Sequence, residues 1–294
     1  MRIIKEKKMK KKLISVLLTL AVAGTMLAGC GSSKADDTKS EADSSTEKKD
    51  ITIGVRADMV NQYAAVEDKL KELGYNVQSK VFDDSVQPDV ALAEGSIDCN
   101  WYQHEPYLKS YNEKNGTNLV MVEPKTFYPL FAMYSDKWDS VDELPDGATI
   151  GLCNDATNQA RGLHLLESQG LITLDDSVES PTMYDVKENP HNFKFIEAEM
   201  SVLPQSIKDV DAICLAAGHM VNAGLSADGY LCQSDDNDTY AVGFAVRAED
   251  KDAQWIKDIA EAVQCDELAE YFKTEKQGTQ IPLHHFRKTF QKSW

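Results

Sequence analysis

Two short segments of this 294-residue chain concentrate the side chains that could do chemistry. The first is Asn100-Trp101-Tyr102-Gln103-His104-Glu105-Pro106-Tyr107. Three aromatic rings, an imidazole and two amides packed this closely make an apolar wall with a few polar handles, the lining expected of a small-molecule pocket. On composition alone the rings serve equally well as core. The second is Asn154-Asp155-Ala156-Thr157-Asn158-Gln159-Ala160-Arg161. It reads as the opening of a helix capped at Asn154-Asp155. Asn154, Asn158 and Arg161 fall at i, i+4 and i+7 on one face, with Ala156, Ala160 and Leu163 opposite. A helix N-terminus favours anions, and an arginine fork can hold a carboxylate by two bonds. The pair of segments therefore suits a ligand with an anionic group; the bland alternative is an exposed polar stripe with Arg161 in solvent.

Catalytic signatures are absent. There is no nucleophile elbow, phosphate loop or dinucleotide glycine triplet. His104-Glu105 lacks the second histidine of a zinc protease, and a hydrolase using these two as acid and base finds no nucleophile. Asp235-Asp236-Asn237-Asp238 starts like a calcium loop but lacks the glycine at position six and the glutamate at position twelve, so it reads as an acidic, solvated turn. No catalytic residue, metal or cofactor is expected, and the chain does not read as an enzyme.

The elements that must position these segments follow from periodicity. Ile51–Val55 alternates as a strand, and Tyr63, Val66, Leu70 and Leu73 follow at helical spacing up to Gly74. Tyr75 to Phe82 is a strand, Val90 to Glu94 a short helix, Ile97 to Tyr102 a strand, with a helix starting near Pro106. This β-α-β-α-β order favours a largely parallel sheet covered by helices. The theme recurs: strands over Ala148–Leu152, Phe193–Glu197, Asp211–Leu215 and Tyr240–Arg247, a helix ending near Glu167, a short helix over Val202–Lys208, and closing helices around Ile256–Val263 and Asp266–Thr274. Two α/β halves suggest two lobes with a cleft between them, and ligands of such lobes lie at the carboxyl ends of the strands.

Upstream, a basic run (Arg2 to Lys12), an apolar run (Leu13 to Ala23) and Leu27-Ala28-Gly29-Cys30 have the form of a secretory leader closed by a lipobox. Residues 1–29 are then a signal peptide, and Cys30 becomes the lipidated N-terminus. The apolar run is short for a membrane span, which needs ~20 residues; two or three acyl chains anchor firmly where one does not. Residues 30–50 hold no large apolar side chain and are expected to be a disordered tether, reaching about 25 Å. Seven of the 31 basic and one of the 48 acidic residues lie in 1–29, so the remainder carries a net charge of −23. Such a surface excludes nucleic acid as a partner. Of the five later cysteines, no two form a Cys-x-x-Cys pair; they read as small buried hydrophobes, with a Cys214–Cys232 disulfide left open.

Several segments, in this order after a lipobox, resemble the NlpA family of lipoproteins: Phe82-Asp83-Asp84-Ser85-Val86-Gln87-Pro88-Asp89, Ile97 through Leu108, Asn154 through Arg161, Glu188-Asn189-Pro190, Glu197-Ala198 and Leu203-Pro204-Gln205-Ser206. The resemblance covers roughly Ile51 to Phe272. It implies a bilobed α/β periplasmic-binding-protein fold, one lobe of 51–129 plus 241–294 and another of 130–240, joined by a hinge that the chain crosses twice. It also implies an extracytoplasmic, lipid-anchored, monomeric solute-binding component of an ABC importer, capturing methionine or a similar amino acid for a membrane permease. Tyr102, His104 and Tyr107 would line the thioether pocket, Arg161 would hold the ligand carboxylate, and Asn154 with Asn158 would flank it. Three positions depart from the family pattern: Ser85 stands where a pocket tyrosine is usual, and Ala216 and Val242 where asparagines hold the polar end of the amino acid. A larger pocket and a ligand other than methionine, anionic but bulkier or less zwitterionic, are the expectations those departures raise; a surface-interaction role without transport is a further alternative.

Overall fold

The computed structural model describes residues 50–236 and 238–283. The leader, Cys30 and nearly all of the tether lie outside them; Asp50, assigned above to the tether, opens the first strand. From there the chain runs β1 (Asp50–Arg56), α1 (Val60–Glu72), β2 (Asn76–Phe82), α2 (Gln87–Ala93), β3 (Cys99–His104), α3 (Glu105–Asn115), β4 (Val120–Met121) and β5 (Phe127–Pro129). It continues with β6 (Phe131–Tyr134), β7 (Thr149–Cys153), α4 (Ala156–Ser168), β8 (Thr173–Leu174), β9 (Val186–Glu188), β10 (Lys194–Ala198), β11 (Ala212–Ala216), α5 (Gly218–Asn222) and β12 (Cys232–Gln233). It then returns through β13 (Val242–Val246), α6 (Gln254–Ala262), α7 (Asp266–Thr274) and β14 (Gln280–Pro282).

These strands form two main sheets. The first has the order β14-β5-β13-β3-β1-β2, with β4 also on β13; the second has the order β10-β7-β11-β6-β12. Only β2-β1-β3 and β10-β7-β11 are parallel. The sheets are thus mixed, not largely parallel as the element order suggested. The antiparallel members include the strands next to the chain crossings: β6 lies against β11, and β13 comes back against β3. A strand entering from the other half of the molecule need not obey the βαβ crossover that enforces parallel pairing. The Val202–Lys208 helix is a single 3-10 turn, Leu203–Ser206.

Both sheets are covered on both faces, so their central strands are buried and mostly apolar; β3 is the exception, carrying buried Asn100, Gln103 and His104. In the first, Ile51, Ile53, Val66, Leu70, Phe244, Ile256, Ile259 and Phe272 build one core and Leu92, Ile97, Leu108 and Ala245 the other. In the second, Ile150, Leu152, Leu163, Leu166 and Cys214 pack on one side, Tyr134, Ile213 and Leu215 on the other. Trp101 belongs to the core and not to a ligand wall: its ring stacks on Phe244 at 5.1 Å and its Nε1 donates to Thr126 Oγ1 at 3.2 Å. Cys214 and Cys232 pair with Met133 from opposite sides of β6. Two strand spacings of about 4.8 Å separate them, beyond the reach of a disulfide, and both are thiols.

At Gly54, in the middle of β1, a Cβ would stand 2.6 Å from Ile97 Cδ1 and 3.3 Å from Asn100 Cβ. The glycine lets β3 and α2 close on β1. Gly54→Val should lower unfolding stability by ~1–3 kcal/mol, read as a reduced urea midpoint; an unchanged midpoint would contradict this packing.

Candidate functional site

Between the two sheets lies a cleft of about 350 Å³, a size suited to a small ligand. All seven cleft residues singled out from the sequence line it: Ser85, Tyr102, His104, Tyr107, Asn154, Asn158 and Arg161. The strand ends deliver them. β3 finishes at His104, α3 begins at Glu105, and a bulge opposite Gly243/Phe244 inserts one extra residue there, turning the strand end toward the cleft. In the other lobe, β7 ends at Cys153 and α4 starts at Ala156. Asp155, not Asn154, caps that helix, accepting from the Asn158 amide at 2.9 Å. Asn154 is exposed at the rim, with only its backbone tied, to Ala198 O.

His104 joins the lobes. Its Nδ1 accepts the Tyr107 N–H at 3.2 Å, which caps α3 and leaves the ring proton on Nε2. Nε2 then donates to Asn158 Oδ1 at 3.2 Å, while Asn158 Nδ2 donates to both carboxylate oxygens of Asp155. Each group in the relay fixes the orientation of the next. Burial, reinforced by the nearby Arg161 charge, lowers the His104 pKa to about 4.

Tyr102 and Tyr107 both direct their hydroxyls to the carbonyl of Ser85, at 2.7 and 3.1 Å, and Tyr102 also meets the buried Asp89 at 2.9 Å. Asn100 and Gln103 donate to the same Asp89. The amides of the first segment are therefore scaffolding that sets the tyrosines. The Ser85 hydroxyl does not simply enlarge the cleft: the Arg56 guanidinium donates to it.

Arg161 is almost wholly buried, 1 % exposed, which excludes a solvated stripe. Its guanidinium lies between the Phe131 and Tyr240 rings, 4.6 and 4.3 Å from their centroids, and Tyr240 in turn meets the His104 ring edge-on at 4.9 Å. Nε and Nη2 grip Asp236 at 2.7–3.1 Å. The acidic run read above as a solvated turn thus supplies the arginine's counter-ion. Among the described residues Nη1 carries no hydrogen bond.

Sequence reasoning missed a second polar group in the cleft. Arg56 ends β1 and Asp58 follows it, Glu199 follows β10, His219 and Asn222 sit on α5, and Lys276 follows α7. They tie the lobes together: Lys276 Nζ to Asn222 Oδ1 at 2.7 Å, Asn222 Nδ2 to Asp58 at 3.3 Å, Arg56 to Glu199 at 3.9 Å. Burial opposes ionisation of Asp58, yet Arg56, His219 and Lys276 together keep its pKa below the ordinary value. Burial lowers Lys276 and takes His219 to about 4. These residues are scattered over four unconnected stretches, so no local motif marks them; the charge pair Arg56-x-Asp58 at a strand end is the one visible cue.

Both histidines stay neutral in the fold to about pH 4, whereas the unfolded chain protonates near ~6.5. Their stabilising contribution is complete above that value and is lost as pH falls toward 4. Denaturation between pH 7.5 and 4.5 should show declining stability, and His104→Gln should flatten the decline by up to about 1.4 kcal/mol per pH unit; parallel profiles would refute a buried neutral His104. Asp236→Ala strands the buried Arg161 charge and should cost on the order of 3 kcal/mol, measured as a loss in melting temperature.

Two mixed sheets, each wrapped by helices and facing a ligand-sized cleft across two chain crossings, define a bilobed binding-protein architecture. The NlpA lipoprotein family profile matches residues 51–284, and the chain belongs to that family. It is 35% identical over 281 residues to a probable D-methionine-binding lipoprotein MetQ of Pasteurella multocida, covering 94% of this chain and 97% of the relative. It is 31% identical over 279 residues to the methionine-binding lipoprotein MetQ of Bacillus subtilis, covering 93% and 99%. Among solved structures, a nutrient-binding protein of Burkholderia cenocepacia bound to methionine superposes with a TM-score of 0.75 at 33% identity, covering 79% of this chain and 99% of that one. A crystal structure of the methionine-binding protein MetQ superposes with 0.73 at 34% identity, covering 79% and 97%.

Proposed function

We propose that this protein is the extracytoplasmic solute-binding lipoprotein of an ABC importer and captures methionine, or an amino acid close to it, between its lobes. One observation carries the reading: Tyr102, His104 and Tyr107 from one lobe converge with Asn158 and Arg161 from the other on one cleft, and a His104–Asn158 hydrogen bond bridges them. The similarity to methionine-binding lipoproteins over nearly the whole chain supports it.

In this reading residues 1–29 are the signal peptide, Cys30 carries the lipid, and 30–50 tether a monomer to the outer face of the cell membrane. The lobes are 51–129 with 241–294, and 130–240, swinging on the crossings at 129/130 and 240/241. Ligand bound between them closes the hinge, and the closed form docks on the permease. The protein binds its cargo and does not transform it. Arg161 would meet the ligand carboxylate through Nη1, its other edge being held by Asp236. Tyr102, Tyr107 and His104 would form the wall for the side chain, with Ser85 and Asn154 at the rim.

A second reading keeps fold and transport role but assigns a ligand other than methionine. Ala216 and Val242, both lining the cleft, favour it, because neither side chain can hydrogen-bond the polar end of an amino acid.

Titration of the purified protein with L- and D-methionine and a panel of other amino acids separates the two. A ligand at a hundred times its Kd should stabilise the fold by about 2.7 kcal/mol. Arg161→Lys, which loses the planar fork, should weaken binding by about tenfold or more. Stabilisation by another amino acid and not by methionine selects the second reading, and stabilisation by none removes both.

A further inference from the structure

Apart from Arg161 Nη1, the charged donors of the cleft are largely committed to protein partners, while several acceptors are not. Arg161 is forked on Asp236, Arg56 on Asp58 and Ser85, and Lys276 on Asn222. In contrast, Oε1 of Gln103, Glu199 and Gln280, all lining the cleft, are buried without a hydrogen-bond partner among the described residues. A buried acceptor left unpaired is costly, and a group that donates to it recovers that cost. The charges lean the same way: Arg56, Arg161 and Lys276 line the cleft with Asp58, Asp84, Asp155 and Glu199, Asp236 is added by the arginine, and both histidines are neutral.

The three acceptors are not equivalent. Gln103 is anchored by its Nε2 to Asp89 and Asn100, and Glu199 Oε1 lies 3.9 Å from Arg56. The Gln280 side chain makes no hydrogen bond among the described residues and is only 8% exposed. It stands on β14 in the first lobe, and its Nε2 is 3.8 Å from where a Cβ on Gly218, the first residue of α5 in the second lobe, would be. Its strand partner is Pro129, whose carbonyl lies 3.4 Å from Arg161 Nη2. An unsatisfied acceptor thus stands at the junction of the lobes, in the same cleft as the arginine and facing Gly218, two residues on from Ala216.

We propose that Gln280 Oε1 accepts a hydrogen bond from the ligand's ammonium group and sets the preference of this cleft for α-amino acids over the corresponding carboxylic acids. An α-amino acid carries its ammonium and carboxylate on one carbon, matching a cleft lined by both an unpaired acceptor and a guanidinium. The proposal rests on the amino-acid-binding reading above and names the residue that enforces it.

The test compares L-methionine with 4-(methylsulfanyl)butanoate, which differs only in lacking the ammonium, by calorimetric titration. The unaltered protein should prefer methionine by about tenfold or more, the worth of a hydrogen bond to a charged group. Gln280→Leu should erase most of that preference without lowering the melting temperature, since the removed oxygen has no partner among the described residues; Gln280→Glu should preserve or widen it. A preference intact in the leucine variant overturns the proposal and leaves the methionine reading standing. A leucine variant that melts earlier or fails to fold makes Gln280 a structural residue and also overturns it. Equal binding of both acids by the unaltered protein overturns the proposal alone, and binding of neither overturns it together with methionine as the cargo.

Discussion

An uncharged imidazole is the pivot of this molecule. His104 accepts an amide proton from the first turn of α3 and gives its own proton to Asn158 at the start of α4. The cap requires a bare Nδ1, and with it the neutral Nε2–H tautomer. Protonation would place a hydrogen on Nδ1 against the Tyr107 N–H and a positive charge close to the buried Arg161, while the Nε2–H bond to Asn158 would persist. The cap of α3 therefore fixes the tautomer that donates across the lobes. Asp155 completes the constraint from the far side, since its grip on Asn158 decides which end of that amide faces the histidine.

Arg161 sets a second constraint. A guanidinium this deeply buried needs a counter-charge and flat partners, and it receives Asp236 on one edge and the Phe131 and Tyr240 rings on its faces. The cleft is thereby nearly neutral at the arginine and rich in unpaired acceptors elsewhere. The ligand it favours brings donors as well as an anion, which is how a zwitterion differs from a simple carboxylate. The charged ties around Asp58, Asn222 and Lys276 add a polar seam at the junction of the lobes.

Much of this was legible in the residues. β1, α1, β2, α3, α4, β10, α6 and α7 stand within a few residues of where periodicity and capping put them, because each has a strong local pattern. The two segments rich in chemistry do meet, and the lobes they come from follow the βα order. The short strands β4, β5, β6, β12 and β14 were not legible. They are two to four residues long, too brief for an alternation to register, and they exist only because a neighbouring strand offers its edge. For the same reason the mixed direction of both sheets escaped the sequence: pairing of β6 with β11 joins residues about 80 positions apart, and loop length says nothing about direction.

Local order in the chain was enough to determine the α/β character, the starts of the two site-bearing helices and the side chains that reach the cleft from them. These depend on residues a turn or two apart, whose backbone preferences act before any tertiary contact. The partners of those side chains were decided only by the folded molecule. Asp236 became the counter-ion of Arg161, Trp101 became core while Tyr102 beside it became wall, and Gln280 came to line the same cleft as the arginine. Each of these depends on how much room and charge the opposite lobe brings, and that is a property of the assembled cleft, which no stretch of sequence carries by itself.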